Sequence, residues 1–279
     1  SAALLRLIGG DPSAIGLQFT QAFTVDKIDI SKWDADRKIA FVDLAVNNRD
    51  TSMTAAFVAR LKEAGHQLVA VIDEHCREDW EKILGSFEGL VIEPQSQNGG
   101  DDTPPKSSGE VLRRAIEVLG LTADDMTAAL MAQADQADAM NFTGQFAKMA
   151  NEAVKSAIAD DTRRVHIARH FARDTHPSEQ MLAWMEEYQA ILANHAEILD
   201  GKVELGDGIV RTVATGKVVD MTTLMSSLYK SGAQVVALEG EAFVPALKKK
   251  EILIAYGTSS KELDLMAIIK SAGINPLGG

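Results

Sequence analysis

The stretch that decides the fold is Val69–His75 (VAVIDEH), an apolar, mostly β-branched run that ends in two acids and an imidazole. A second run, Ile39–Asp43 (IAFVD), has the same design. Between them, Ser52–Ala64 has the apolar spacing of an amphipathic helix. Strand, helix and strand in this order predict two neighbouring parallel strands. Because ligands gather at the carboxyl edge of such a sheet, the acids that end both runs should lie side by side.

These strand ends predict a metal site. Asp43, Asp73, Glu74 and His75 would bring three carboxylates and one imidazole to one edge of the sheet. Mg²⁺ and Mn²⁺ prefer carboxylate oxygens, and an imidazole ligand favours Mn²⁺. Two such ions about 3.5–4 Å apart can activate a water and neutralise charge on a phosphoryl group. In the alternative interpretation, Asp43 caps the next helix, and Asp73 and Glu74 are solvated loop acids.

Composition limits the classes of protein. The net charge of −12 argues against a basic surface that grips long duplex nucleic acid, although it allows a short anionic substrate held by metal ions. The single cysteine, Cys76, rules out an internal disulfide and fits a reducing cytosol. No run reaches the roughly 18 apolar residues of a membrane span. We therefore expect a soluble cytoplasmic protein with no membrane partner.

Strand-like and helix-like segments alternate over 279 residues, which predicts an α/β fold with two lobes. An N-terminal domain with a parallel sheet should cover residues 1–175, and its last part, residues 123–173, has a helical pattern throughout. A linker helix is predicted for residues 176–200. Residues 201–279 should form a smaller α/β domain, with a hairpin at Gly206–Gly208 and a core that includes Val210, Val213 and Ile268.

In their order along the chain, several motifs resemble those of the DHH phosphoesterases. A strand ending in Asp43 is followed about thirty residues later by a strand ending in Asp-x-His. Three later segments also resemble family motifs: Lys106–Leu112 (KSSGEVL), Asp138–Phe142 (DAMNF) and Lys270–Gly279 (KSAGINPLGG). Within KSSGEVL, Ser108 should cap a helix that starts at Gly109. The likeness covers nearly the whole chain, including a DHH-associated domain at the C-terminal end.

The resemblance implies a manganese-dependent or magnesium-dependent phosphoesterase that holds two ions in its complete form. Its metal ligands would be Asp43, Glu74 and Asp138. Asp135 is an alternative to Asp138 as the aspartate of the family's fourth motif, because residues three apart share a helix face. The spacing to Phe142 favours Asp138. The resemblance gives catalytic roles to Asp43, Asp73 and His75.

Substrate binding would fall to His75 and to a glycine-rich loop that contains Gly273, Gly278 and Gly279. The resemblance implies hydrolysis of small phosphoesters in the cleft between the lobes. Short oligonucleotides, as for an exonuclease, nucleoside phosphates and cyclic dinucleotides all belong to that class. The sequence leaves the oligomeric state open, and a homodimer is allowed.

Two departures from the family pattern bear on activity. Glu74 stands where the family has the middle histidine of Asp-His-His. It could bind metal as a carboxylate, or it could mark a non-catalytic binding or assembly module. The chain begins with Ser1–Leu5 (SAALL), which resembles the helix that follows the family's first motif, Asp-x-Asp-Gly. The resemblance thus implies that this motif precedes Ser1, and the 279-residue chain alone should hydrolyse phosphoesters poorly.

A basic stripe offers a second anion-binding hypothesis. Arg163, His166, His170 and Arg173 follow a 3-4-3 spacing that places them on one helix face. Such a face could hold the phosphates of an oligonucleotide, or it could be a solvated surface that pairs with nearby acids.

Overall fold

Apolar strands and amphipathic helices alternate along the chain, and the fold is of the α/β class, as the sequence predicts. A computed structural model of the protein describes residues 1–47, 50–75, 77–85, 90–92, 107–139, 141–157, 160–244, 249–260 and 262–273. Contacts divide the chain into two compact units, Ser1–Leu182 and Ala183–Gly279. The domain bounds expected at residues 175 and 200 stay a prediction.

The first unit contains a parallel sheet and most of the helices. In chain order its elements are α1 (Ala2–Ile8), β1 (Lys38–Val42), α2 (Thr51–Glu63), β2 (Gln67–Ile72), α3 (Arg77–Leu84), β3 (Leu90–Ile92), α4 (Ser108–Val118), α5 (Asp125–Asp138), α6 (Gln145–Lys155) and α7 (Asp161–Phe171). The strands are ordered β1-β2-β3. The helical pattern predicted over residues 123–173 is confirmed, and among the described residues of this stretch it is divided into three helices, α5, α6 and α7.

A long helix, α8 (Glu179–Asp200), starts in the first unit and ends in the second. Although it has 22 residues, neither α8 nor any other helix of the described residues is long and apolar enough to cross a lipid bilayer.

Aromatic residues hold the sheet of the first unit to its helices. The ring of Phe41 on β1 lies 6.0 Å from that of Phe57 on α2 and 5.5 Å from that of Trp80 on α3. All three side chains are buried in one apolar cluster. The helix α2 begins where Asp50 accepts a hydrogen bond from the main-chain N–H of Ser52 at 3.1 Å. Asp50, and not Asp43, is therefore the residue that caps this helix.

The second unit contains a mixed four-stranded sheet. After α8 come β4 (Val203–Gly206), β5 (Ile209–Val213), α9 (Met221–Lys230), β6 (Val235–Val244), β7 (Lys249–Thr258) and α10 (Leu265–Ser271). The order is β4-β5-β6-β7. The β4–β5 hairpin is confirmed, and Asp207 takes a positive φ of 50° in its turn.

The core of the second unit lies under one face of its sheet. Val210 on β5 is buried together with Leu224 and Leu228 of α9. The prediction was wrong for two other residues, because Val213 is 47% and Ile268 48% exposed. Val213 lies an odd number of residues from Val210 on β5, so the pleat turns it to the opposite face of the sheet.

Candidate metal centre

The parallel register of β1 and β2 brings the two acidic strand ends together. Val42 pairs with Ile72, so the next residues, Asp43 and Asp73, leave the sheet side by side. The main-chain N–H of Asp43 donates a hydrogen bond to the carbonyl of Ile72 at 2.8 Å, which ties the two strand ends to each other. The adjacency expected from the β-α-β order is thus present in the structure.

Asp43 has an uncommon backbone conformation. Its φ is +53°, in the left-handed region that side-chain-bearing residues rarely adopt, although aspartate tolerates it better than most. Residues in such conformations concentrate at functional sites, because the surrounding structure must hold them there. The side chain of Asp43 is exposed, so its carboxylate is accessible to a ligand.

Asp73 is the buried centre of the cluster. Its side chain is 0% exposed. One carboxylate oxygen, Oδ1, lies 2.8 Å from Nδ1 of His75, and the other, Oδ2, accepts a hydrogen bond from the indole N–H of Trp80 at 3.0 Å. Both oxygens are therefore engaged by protein groups. The pair with Asp73 also leaves Nε2 as the nitrogen of His75 that remains for a ligand.

Glu74 and His75 carry strongly perturbed pKa values. Burial, followed by repulsion from Asp43, raises the pKa of the Glu74 carboxyl to about 8. The hydrogen bond to Asp73 is the main cause that raises the pKa of His75 to about 9. One oxygen of Glu74, Oε2, is buried with no hydrogen-bond partner among the residues that the structure describes. Acids held this close together favour the binding of a proton or of a cation.

The donor set fits a hard divalent cation. One ligand atom from each of Asp43, Asp73, Glu74 and His75 can be chosen so that all four lie within 4.8 Å of one another. Ligands at about 2.1–2.4 Å from one ion are separated by at most about 4.2–4.8 Å, so small side-chain shifts would let these atoms share one ion. Three carboxylates and one imidazole match the preference of Mg²⁺ and, because of the imidazole, of Mn²⁺.

Asp138 lies within electrostatic range of this cluster. Its pKa is raised by burial first, then by repulsion from Asp43 and Asp135, while His75 opposes the shift. The main-chain N–H of Ser108 also opposes the shift. Asp138 is not one of the four residues that converge within 4.8 Å, so it could bind an ion only at the margin of that group.

Asp135, the competitor of Asp138, is engaged elsewhere. One of its oxygens accepts a hydrogen bond from the hydroxyl of Ser107, and the other accepts one from Nη2 of Arg113 at 2.6 Å. The guanidinium also neutralises its charge. Of the two acids, Asp138 is therefore the one that remains for a cation.

The close approach of α4 to α5 sets the positions of both acids. A Cβ on Gly109 would lie 2.5 Å from the carbonyl oxygen of Met131 and 2.6 Å from Oδ1 of Asp135, so only glycine fits there. Ser107 caps α4 by accepting from the N–H of Glu110 at 3.1 Å. The predicted cap was Ser108, one residue too late.

The amino end of α1 also lies near Asp43. The surrounding protein lowers the pKa of the Ser1 amine, and the Asp43 carboxylate partly offsets this shift.

The basic stripe does not form an open anion site. The helix α7 ends at Phe171, so Arg173 lies beyond it. Each side chain of the stripe contacts another group of the first unit: Arg163 the carbonyl of Ser156, His166 the hydroxyl of Ser178, His170 the carbonyl of His176, and Arg173 the carboxylate of Asp11. These contacts favour the interpretation as a surface that pairs with its own neighbours.

The remaining predicted residues belong to the second unit or lie outside the described residues. Gly273 follows α10 in the second unit, with a φ of +76°. Gly278 and Gly279 lie outside the described residues, as do Cys76 and the first residue of the KSSGEVL motif, Lys106.

Sequence reasoning did not identify Trp80. The only available signal was a tryptophan after three charged residues at the start of the helix REDWEKIL, seven residues after Asp73. No protein-family model matches the chain, and a comparison with curated proteins finds no significant match. The likeness to the DHH phosphoesterases thus stays a prediction.

Proposed function

We propose that this protein is a divalent-metal-dependent phosphoesterase whose metal centre is formed at the carboxyl ends of β1 and β2. One observation carries the proposal: the ligand atoms of Asp43, Asp73, Glu74 and His75 converge within 4.8 Å at the edge of a parallel sheet. This edge is where open α/β sheets bind ligands and perform chemistry.

The residues divide into those that would hold an ion and one that would position them. Asp43, Glu74 and His75 would be the direct ligands, and Asp73, whose two oxygens are already engaged by protein groups, would orient His75. Asp138 would complete the site from α5. When bound, a divalent ion supplies a water of lowered pKa and positive charge against the phosphoryl oxygens.

The substrate class we propose is a small phosphoester: a short oligonucleotide, a nucleoside phosphate or a cyclic dinucleotide. The net charge of −12 disfavours long duplex nucleic acid, which requires a basic surface. A small phosphoester can be bound locally through the ion alone. The single cysteine supports a cytoplasmic location, where thiols stay reduced.

A second function is a metal-binding module without catalysis. The observation that favours it is Glu74, which occupies the position of a family histidine and has a pKa raised to about 8. A carboxyl that keeps its proton at neutral pH binds a cation less readily than an imidazole would. The two functions predict equal binding of Mn²⁺ at high pH and different turnover.

The test is hydrolysis of a dinucleotide, a nucleoside monophosphate and a cyclic dinucleotide with Mn²⁺ or Mg²⁺. It uses the 279-residue chain and, where the gene encodes residues before Ser1, the longer protein as well. We expect turnover by a longer protein that carries the Asp-x-Asp-Gly motif, little by the 279-residue chain, and a loss of at least about 100-fold in Asp43→Asn. Asp50→Asn is the matched control, because asparagine caps a helix as well as aspartate does.

Two results would count against the enzyme. Binding of Mn²⁺ without turnover of any of the three substrates by the longer protein would establish the non-catalytic module. Full activity of Asp43→Asn would show that the reacting groups lie elsewhere.

A further inference from the structure

We propose that Trp80 is a positioning residue of the metal centre, which acts through Asp73 to hold the imidazole of His75 in the orientation that binds the ion. This inference rests on the proposed metal centre. It extends that proposal from the groups that would touch the ion to a residue of the apolar core.

The three side chains form one hydrogen-bonded relay. The indole N–H of Trp80 donates to Oδ2 of Asp73 at 3.0 Å, and Oδ1 of Asp73 lies 2.8 Å from Nδ1 of His75. A carboxylate bound through one oxygen can still rotate about its Cβ–Cγ bond. Because two donors bind different oxygens here, the plane of the carboxylate is fixed.

Burial makes the indole necessary. Asp73 is 0% and Trp80 1% exposed, so water cannot replace the N–H of Trp80. A buried carboxylate oxygen that loses its donor is costly, and the carboxylate would turn toward any other donor. Asp73 could then not keep its present orientation toward His75.

Trp80 is itself held in place by the core. Its ring lies 5.5 Å from that of Phe41 on β1, and both belong to the apolar cluster that contains Phe57. The helix α3 starts at Arg77, so Trp80 is in its first turn, close to the strand end that carries the cluster. The orientation of the relay is thereby set by the packing of α3 on the sheet.

His75 needs this support because it is less enclosed than its partners. Its side chain is 43% exposed, and the described hydrogen bond that orients its ring is the one to Asp73. Removal of partners that orient a ligating histidine typically lowers metal affinity about 10-fold to 100-fold. We expect a loss of that size when the indole N–H is removed.

The test compares Trp80→Phe with Phe57→Leu by calorimetric titration of Mn²⁺ at a single pH. Trp80→Phe removes the donor and keeps an aromatic ring, whereas Phe57→Leu disturbs the same core and leaves the relay intact. We expect Mn²⁺ to bind about 10-fold to 100-fold more weakly to Trp80→Phe and within about threefold of wild type to Phe57→Leu. Equal losses in both variants, or none in Trp80→Phe, would overturn the inference.

A second measurement uses the metal-free wild-type protein, and it decides the matter if Trp80→Phe does not fold. Hydrogen exchange of the indole protons should be much slower for Trp80 than for Trp33, whose indole N–H has no partner among the described residues. Equal exchange rates would disprove the relay. If wild type binds no Mn²⁺, the proposed function fails, whereas the exchange rates still test the relay.

Discussion

Each of the two units contains a buried aspartate that accepts a hydrogen bond from an aromatic side chain. In the first unit Asp73 accepts from the indole of Trp80, and in the second Asp220 accepts from the hydroxyl of Tyr188, both at 3.0 Å. A histidine lies next to each aspartate. The two groups of residues are alike in composition, yet they differ in how completely their polar atoms are satisfied.

In the second unit, the carboxylate and the main-chain N–H of Asp220 both have hydrogen-bond partners. Asp220 caps α9, since its carboxylate accepts from the main-chain N–H of Thr223 at 3.3 Å and from the hydroxyl at 2.6 Å. The N–H of Asp220 donates to Nε2 of His195 at 3.0 Å. The contacts with Tyr188 and His195 join α8 to the start of α9, and those with Thr223 cap α9, so this group stabilises the fold.

The group in the first unit has more negative charge than its own partners neutralise. Asp43 and Glu74 converge on the same point as Asp73, and burial together with repulsion from Asp43 raises the pKa of Glu74. Such an excess of acids destabilises the folded state until a cation or protons bind. The comparison teaches that a buried acid whose hydrogen bonds are all satisfied indicates a role in stabilising the fold. A cluster with more acids than its partners neutralise indicates a cation-binding site.

The largest effect should come from Asp220→Ala. The substitution removes the cap of α9 and the carboxylate that accepts from the buried hydroxyl of Tyr188, so we expect a loss of about 3 kcal/mol in the free energy of unfolding. Asp43→Asn should leave the metal-free protein as stable as wild type or more so, because it removes repulsion. Urea denaturation measures the free energy of unfolding of both variants. Equal destabilisation by the two substitutions would contradict the distinction between the groups.

Gly109→Ala should have an intermediate effect. Its Cβ would meet backbone at 2.5 Å, so α4 must move away from α5, at a cost of about 1–3 kcal/mol. We also expect weaker Mn²⁺ binding, because Asp138 would shift with α5. Gly144→Ala is the control, since nothing lies within 4 Å of its added Cβ. Normal thermal stability of Gly109→Ala would show that the helices are not in close contact.

The two groups should respond to pH with opposite signs. The pKa of Glu74 is raised to about 8, so the metal-free folded state binds more protons than the unfolded chain, and stability falls as pH rises from about 5 to 8. Burial lowers the pKa of His195, so stability falls as pH drops below about 6.5. Each group contributes at most about 1.4 kcal/mol per pH unit.

Unfolding midpoints at several pH values check these signs. Glu74→Gln should remove part of the loss at high pH. His195→Gln should remove part of the loss at low pH, since the glutamine oxygen can still accept from the N–H of Asp220. The prediction fails if either substitution leaves the pH dependence unchanged.

Much of the fold and the position of the cluster could be predicted from the sequence. The β-branched runs that end in Asp43 and Asp73 predict parallel strands, and the rule for β-α-β connections makes them neighbours. The adjacency follows from chain order and strand period alone, so no knowledge of side-chain packing was needed.

The remaining parts of the site depend on packing. Asp135 and Asp138 share a helix face, so the helical pattern does not separate them. The packing of α4 on α5 at Gly109 places Arg113 of α4 against Asp135, whose charge it neutralises. The role of Trp80 depends on the direction of its indole, which a helical pattern does not specify.

The most direct test of the central claim is a Mn²⁺ titration of the metal-free protein, in which the free ion is followed by electron paramagnetic resonance. It compares wild type, Asp43→Asn and the control Asp50→Asn at pH 8.5, above the pKa of about 8 of Glu74 and below that of about 9 of His75, whose proton Mn²⁺ must displace. The account predicts saturable binding to wild type and Asp50→Asn, and a loss of at least about 10-fold in affinity in Asp43→Asn. Equal affinities in all three proteins, or no binding to wild type, would contradict it.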